Sequence, residues 1–124
     1  MLAHVLLFRP RRDLAPDARQ ELIAAFDTAL SAIPSIRRWR IGPRVVFGHA
    51  YETRMRVDYP YLAILEFENA AALTAYLEHP AHAQLAARFF AAVEDLLVYD
   101  FEMVDERDRL RALGGTPPGT SSQQ

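Results

Sequence analysis

The segment LAHVLLF, Leu2 to Phe8, is apolar almost throughout and too short for a comfortable helix. It predicts a buried strand whose alternation sets Leu2, His4, Leu6 and Phe8 on one face. PDARQELIAAFDTALSAI instead places Leu22, Phe26, Ala29, Leu30 and Ile33 at helical spacing. An amphipathic helix is expected there, with Pro16 and Asp17 in its first turn and its end near Pro34. Ala15, just before it, has no side-chain oxygen to serve as a cap. IRRWRIGPRVVFG alternates apolar with basic residues around a Gly-Pro step, which predicts a strand with a bulge or kink near Gly42 and Pro43. From His49 to Asp58 no period is sustained, and a loop over or beside a pocket is expected.

YPYLAILEFE alternates again, with Tyr59, Tyr61, Ala63, Leu65 and Phe67 on one side and Leu62, Ile64 and Glu66 on the other. That pattern predicts a strand. Asn69 suits the N-cap of a helix through NAAALTAYLEH, and PAHAQLAARFFAAVEDLL reads as a second helix with Leu85, Phe89 and Val93 on one face. LLVYDFEMV closes the fold as a strand. Beyond Asp105 the apolar pattern gives way to Gly, Pro, Ser and Gln, so a domain over 1–104 and a disordered tail over 105–124 are expected. The succession is that of an α+β, ferredoxin-like β-α-β-β-α-β sandwich, an antiparallel sheet with helices on one face. Its strands are apolar on both faces, so the uncovered face is expected to pack on a second copy in a homodimer.

Composition narrows the function. A 124-residue chain with 51% hydrophobic residues holds one core. A formal net charge of -2 gives no footprint for nucleic acid. Without cysteine there is no disulfide framework, thiolate metal site or Cys nucleophile. The apolar run at Leu2 lacks both the basic leader and the length of a signal or membrane segment. The expectation is a cytoplasmic protein with no membrane partner.

Candidate chemistry gathers in YLEHPAHAQ. Pro80 fits the first helical position, which makes His79 the N-cap and puts His82 in the first turn. The partial positive charge at a helix N-terminus disfavours imidazolium by up to about 1 kcal/mol, so His82 leans towards the neutral form that a general base needs. Tyr76, just upstream, carries a hydroxyl that can donate to a carbonyl or enolate oxygen. The competing reading is structural: His79 caps a helix, Pro80 turns the chain, His82 packs on the sheet, and His4 is a satisfied core histidine. His79, His82 and Glu78 do not suggest a metal site, because Pro80 spoils the ligand geometry and no second carboxylate-rich segment supports it. Glu66, Glu68, Glu94, Asp95 and Asp100 read most simply as solvated faces or local ion pairs.

In the stretches HVLLF, IPSIRRWRIG, YLAILEFEN, YLEHPAHAQ and VEDLLVYDFE, the chain resembles the stress-responsive A/B barrel domain (Dabb) family from about Met1 to about Met103. HPAH followed by a VYDFE-like strand at this spacing is a fairly specific pair. The resemblance implies a dimeric α+β barrel of two ferredoxin-like subunits. Because the family includes a plant polyketide cyclase, it also implies cofactor-free, general-base aldol cyclisation of a poly-β-keto chain. Position by position, it makes Tyr76 and His82 the catalytic pair and puts His4 in the pocket, while Tyr61 stands where that cyclase has a further histidine. His79 and Trp39 complete the candidate binding set. Two alternatives remain open. One is a non-catalytic stress-response protein that binds a hydrophobic small molecule. The other resembles the cofactor-free monooxygenases of this dimeric fold, with Trp39 and Tyr61 holding an electron-rich ring.

Overall fold

In the computed structural model, which describes residues 1–115, the apolar N-terminal segment becomes an interior strand of the sheet. This strand, β1 (Leu2–Pro10), is flanked by β3 (Tyr61–Phe67) and β4 (Val93–Glu102), with β2 (Arg38–Pro43) outside β3. All neighbours are antiparallel, in the order β2-β3-β1-β4. The helices are α1 (Pro16–Ala32), α2 (Ala70–Leu77), α3 (Pro80–Ala92) and the short α4 (Arg107–Ala112). The fold is α+β and ferredoxin-like.

Strand alternation divides the sheet as the pattern predicts. His4, Phe8, Ala63, Leu65 and Phe67 are buried against Leu22, Ala29 and Ile33 of α1, Leu73 and Tyr76 of α2, and Leu85 and Phe89 of α3. Phe89 holds the middle, edge-on to Phe8 at 4.9 Å and to Phe26 at 5.8 Å. On the opposite face Val5, Leu7, Leu62, Ile64, Leu97, Tyr99 and Phe101 carry no helix from α1–α3, and Tyr99 is 54% exposed. Asn69 caps α2, its Oδ1 accepting from the Ala72 N–H at 2.9 Å. Ala15 offers α1 no side-chain cap.

Four segments differ from the sequence expectation. The helix expected to run to Leu97 stops at Ala92. Val93 is extended and pairs with Pro10, and the Arg11 N–H donates to the Ala92 carbonyl at 2.8 Å, so strand pairing overrides the helical period. β2 ends at Pro43, and the residues from Val45 to Gly48 leave the sheet. Gly48 turns there at φ 81, a backbone region that side chains with a Cβ rarely adopt. The expected loop contains a 3-10 turn, Ala50–Arg54. Its Glu52 carboxylate accepts from the N–H groups of Phe47 at 2.9 Å and His49 at 2.8 Å. Within the expected tail, Arg107–Ala112 form the exposed helix α4, while 116–124 lie outside the described residues.

Two stability outcomes follow from this packing. Phe89→Ala removes a ring that is 4% exposed and should cost about 3–5 kcal/mol, read from the denaturant midpoint. Ending the chain after Asp105 should leave the melting temperature unchanged, since the side chains of α4 are exposed. A fall of several degrees by calorimetry would mean that this segment packs.

Candidate active site

The His4 ring rises from β1 into the layer between sheet and helices, with only 7% of its side chain exposed. Register places Asp100 of β4 directly opposite, and His4 Nδ1 lies 2.6 Å from Asp100 Oδ1. In the neutral ring with its proton on Nδ1, that proton is donated to this carboxylate and the other ring nitrogen is an acceptor. The carboxylate itself is half-exposed, so one side of the pair stays in water.

Tyr76, at the end of α2, packs its ring edge-on to His4 at 5.7 Å and to His82 at 4.7 Å between centroids. Burial pushes its phenol up to about 12, so the hydroxyl keeps its proton across the neutral range. His82 sits in the first turn of α3, its backbone N–H donating to the His79 carbonyl at 3.0 Å. Its imidazole is pushed down, first by burial and then by the charge of nearby His4, against a smaller opposing pull from the Leu77 carbonyl. The chain of side chains is therefore Asp100, His4, Tyr76, His82. It supplies a neutral base, an undissociated donor and a carboxylate-anchored imidazole.

His4, Tyr76 and His82 line one cavity of about 290 Å³, walled by Leu6, Leu65, Leu85 and Phe89. Phe90, Leu77 and Val98 border it from exposed positions. A larger hollow of about 650 Å³ lies elsewhere, at the loop side of the sheet, and its charged members are Arg40 and Arg44. It is lined by no histidine, whereas the smaller cavity brings His4 and His82 together with Tyr76.

Three residues of the expected binding set do not reach this cavity. His79 is the N-cap of α3, its Nδ1 accepting from the Ala81 N–H at 3.0 Å, so its ring is engaged by the backbone. Trp39 is half-exposed on the edge strand β2, across from Leu65. Tyr61 stacks on Phe8 at 5.6 Å and borders a separate hollow of about 200 Å³ under α1. Conversely, Asp100 was expected to be a solvated carboxylate and joins the site through His4. The alternation of VYDFE places Asp100 on the face of Val98, but the register that sets it opposite His4 is not a local signal. Among the described residues no three His, Cys, Asp or Glu side chains are grouped to hold a metal, and no helix is long and apolar enough to cross a membrane.

The family model of the stress-responsive A/B barrel domain matches residues 2–103. The chain belongs to that family. Among A/B barrel relatives, the Arabidopsis thaliana stress-response A/B barrel domain-containing protein HS1 is 25% identical over 99 residues, covering 80% of this chain and 86% of HS1. A dimeric ferredoxin-like protein of unknown function from Jannaschia sp. CCS1 is 29% identical, with a TM-score of 0.65 over 82% of this chain and 98% of that one. Hydroxynitrile lyase from Passiflora edulis shares the fold at 18% identity, with a TM-score of 0.70 over 85% of this chain and 94% of the lyase.

The lowered His82 fixes a sign for the pH dependence of this A/B barrel protein. His82 is held neutral in the fold, so on acidification the unfolded chain takes up a proton first, near the ordinary histidine value of about 6.5. Its contribution to stability is present above about pH 6.5 and lost as pH falls through the lowered folded value. The melting temperature should fall more between about pH 7 and about pH 5 in the wild type than in His82→Gln. Equal falls would mean that His82 titrates as it does in the unfolded chain.

Proposed function

We propose that this A/B barrel protein is a cofactor-independent homodimeric enzyme of the polyketide cyclase type, closing a poly-β-keto chain by an intramolecular aldol step. The observation that carries the proposal is the convergence of His4, Tyr76 and His82 on one mostly apolar cavity. A carbon between two carbonyls is acidic enough for a positioned neutral imidazole to deprotonate. His82, held neutral by burial, takes that proton. The enolate carbon then attacks a distal carbonyl of the same chain, and the new carbon–carbon bond leaves negative charge on that carbonyl's oxygen. Tyr76 donates a hydrogen bond to this oxygen, and His82 returns its proton to complete the aldol. The link from Asp100 orients the ring of His4, which accepts from the substrate's enol through its other nitrogen.

Two related proteins support parts of this reading. The Passiflora edulis neighbour is a hydroxynitrile lyase, which puts lyase chemistry on the same fold. The dimeric description of the Jannaschia relative, together with the uncovered apolar sheet face, supports the homodimer. A second reading, a protein that binds a hydrophobic small molecule without turnover, is favoured by the Leu and Phe walls of the cavity. The aromatic residues expected to hold a ring in the oxygenase-like alternative, Trp39 and Tyr61, stand outside that cavity.

The test begins with a thermal-shift screen of poly-β-keto thioesters and aromatic ligands, followed by turnover of whatever stabilises the protein. His82→Ala should lower turnover about 100-fold or more while the fold is kept, and Tyr76→Phe should cost less. Turnover by His82→Ala at the wild-type rate would reduce the segment to a helix junction and leave the binding reading in its place.

A further inference from the structure

The loop between β2 and β3 is braced by hydrogen bonds of its own yet presents its apolar side chains to solvent. Val45, Val46, Phe47 and Tyr51 are 62%, 65%, 71% and 58% exposed. The loop does not owe its shape to burying them. The Glu52 carboxylate holds the Phe47 and His49 N–H groups, the Thr53 hydroxyl donates to the Ala50 carbonyl, and Arg44 pairs with Asp58 at the loop's base. A polar scaffold thus presents an apolar tip, the reverse of what a loop exposed in the working protein needs.

Beside the loop lies the hollow of about 650 Å³, floored by Leu7, Leu62 and Ile64 of the uncovered sheet face and bordered by Met55 and Val57. One surface therefore carries a projecting apolar tip and, next to it, an apolar recess. A twofold axis between such neighbours seats each tip in the other copy's recess, which is how an isologous contact becomes self-complementary. Most charges around this face have partners within the chain: Arg38 and Arg40 share Glu66, which leaves one positive charge in excess, and Arg9 lies near Asp95, which also accepts from the Tyr59 hydroxyl. Such a border offers little net charge to an anionic membrane and suits burial against an identical copy.

We infer that the 45–57 loop is an intersubunit arm, with Phe47 of each protomer seated in the outer-face hollow of the other. This rests on the homodimer proposed above and names a contact beyond the sheets. Sedimentation over a dilution series tests it on three chains: the wild type, Phe47→Asp and Leu97→Asp, with Phe47→Ala as a milder variant should the aspartate disturb folding. The arm predicts a wild-type dimer whose dissociation constant rises at least about 100-fold in Phe47→Asp, rises in the same direction in Phe47→Ala, and leaves the far-UV spectrum unchanged. Dimers of unchanged affinity in both Phe47 variants, with Leu97→Asp dissociated, would overturn the arm and keep the dimer. A monomeric wild type would remove the dimer and the arm together. Wild-type monomer that sediments with anionic phospholipid vesicles only while Phe47 is intact would reassign the tip to a membrane.

Discussion

The site depends on a break between two helices. Pro80 has no N–H to give to a preceding turn, so α2 stops at Leu77 and a new helix starts, capped by His79. In one unbroken helix, Tyr76 and His82 would be about 9 Å apart along the axis and roughly 120° apart around it, on different faces. With the break, their rings meet at 4.7 Å above His4. The hydrogen bond from the Ala81 N–H to His79 Nδ1 is thus a structural bond with a chemical consequence, because it sets the start of α3 and so the position of His82 in its first turn.

Much of this was legible in the sequence because the relevant signals are local. Alternation in LAHVLLF and YLAILEFE places His4 and Leu65 on the helix-facing side, and the Asn69 and His79 caps follow from side-chain chemistry within a few residues. What sequence reading missed was set across the chain. Val93 joins a strand because Pro10 is there to pair with it, although its own neighbours continue a helical pattern. Asp100 looks like any exposed carboxylate until β1 and β4 fall into a register that matches it to His4, 96 residues away. Trp39 and Tyr61 are aromatic in the manner of pocket walls, but an edge strand and the stack on Phe8 take them elsewhere.

The interior keeps an open cavity at some expense of packing. Beside the dense contact of Phe8, Phe26 and Phe89, α3 turns Ala86 towards the cavity, where a larger side chain would fill the space. Cores of ordinary density leave few voids of that size, and their walls forgo contacts that would otherwise stabilise the fold. The polar members of the cavity impose a further cost, since a buried histidine and tyrosine must find partners. His4 meets this demand through Asp100, whose exposed oxygen keeps the pair from being wholly desolvated.

Proton placement follows from the same burial. Desolvation acts on His82 and Tyr76 in opposite senses on the pKa scale yet favours the neutral form of each, lowering the imidazole and raising the phenol to about 12. Between those limits the cavity holds one vacant base and one retained donor over a wide span of pH. A general base near an undissociated phenol is the combination that a carbon acid requires, since the proton leaving carbon and the charge arriving on oxygen need different partners at once. Neither condition needs a charged residue inside the cavity. The one carboxylate in the network, Asp100, sits beyond His4, outside the contact between Tyr76 and His82.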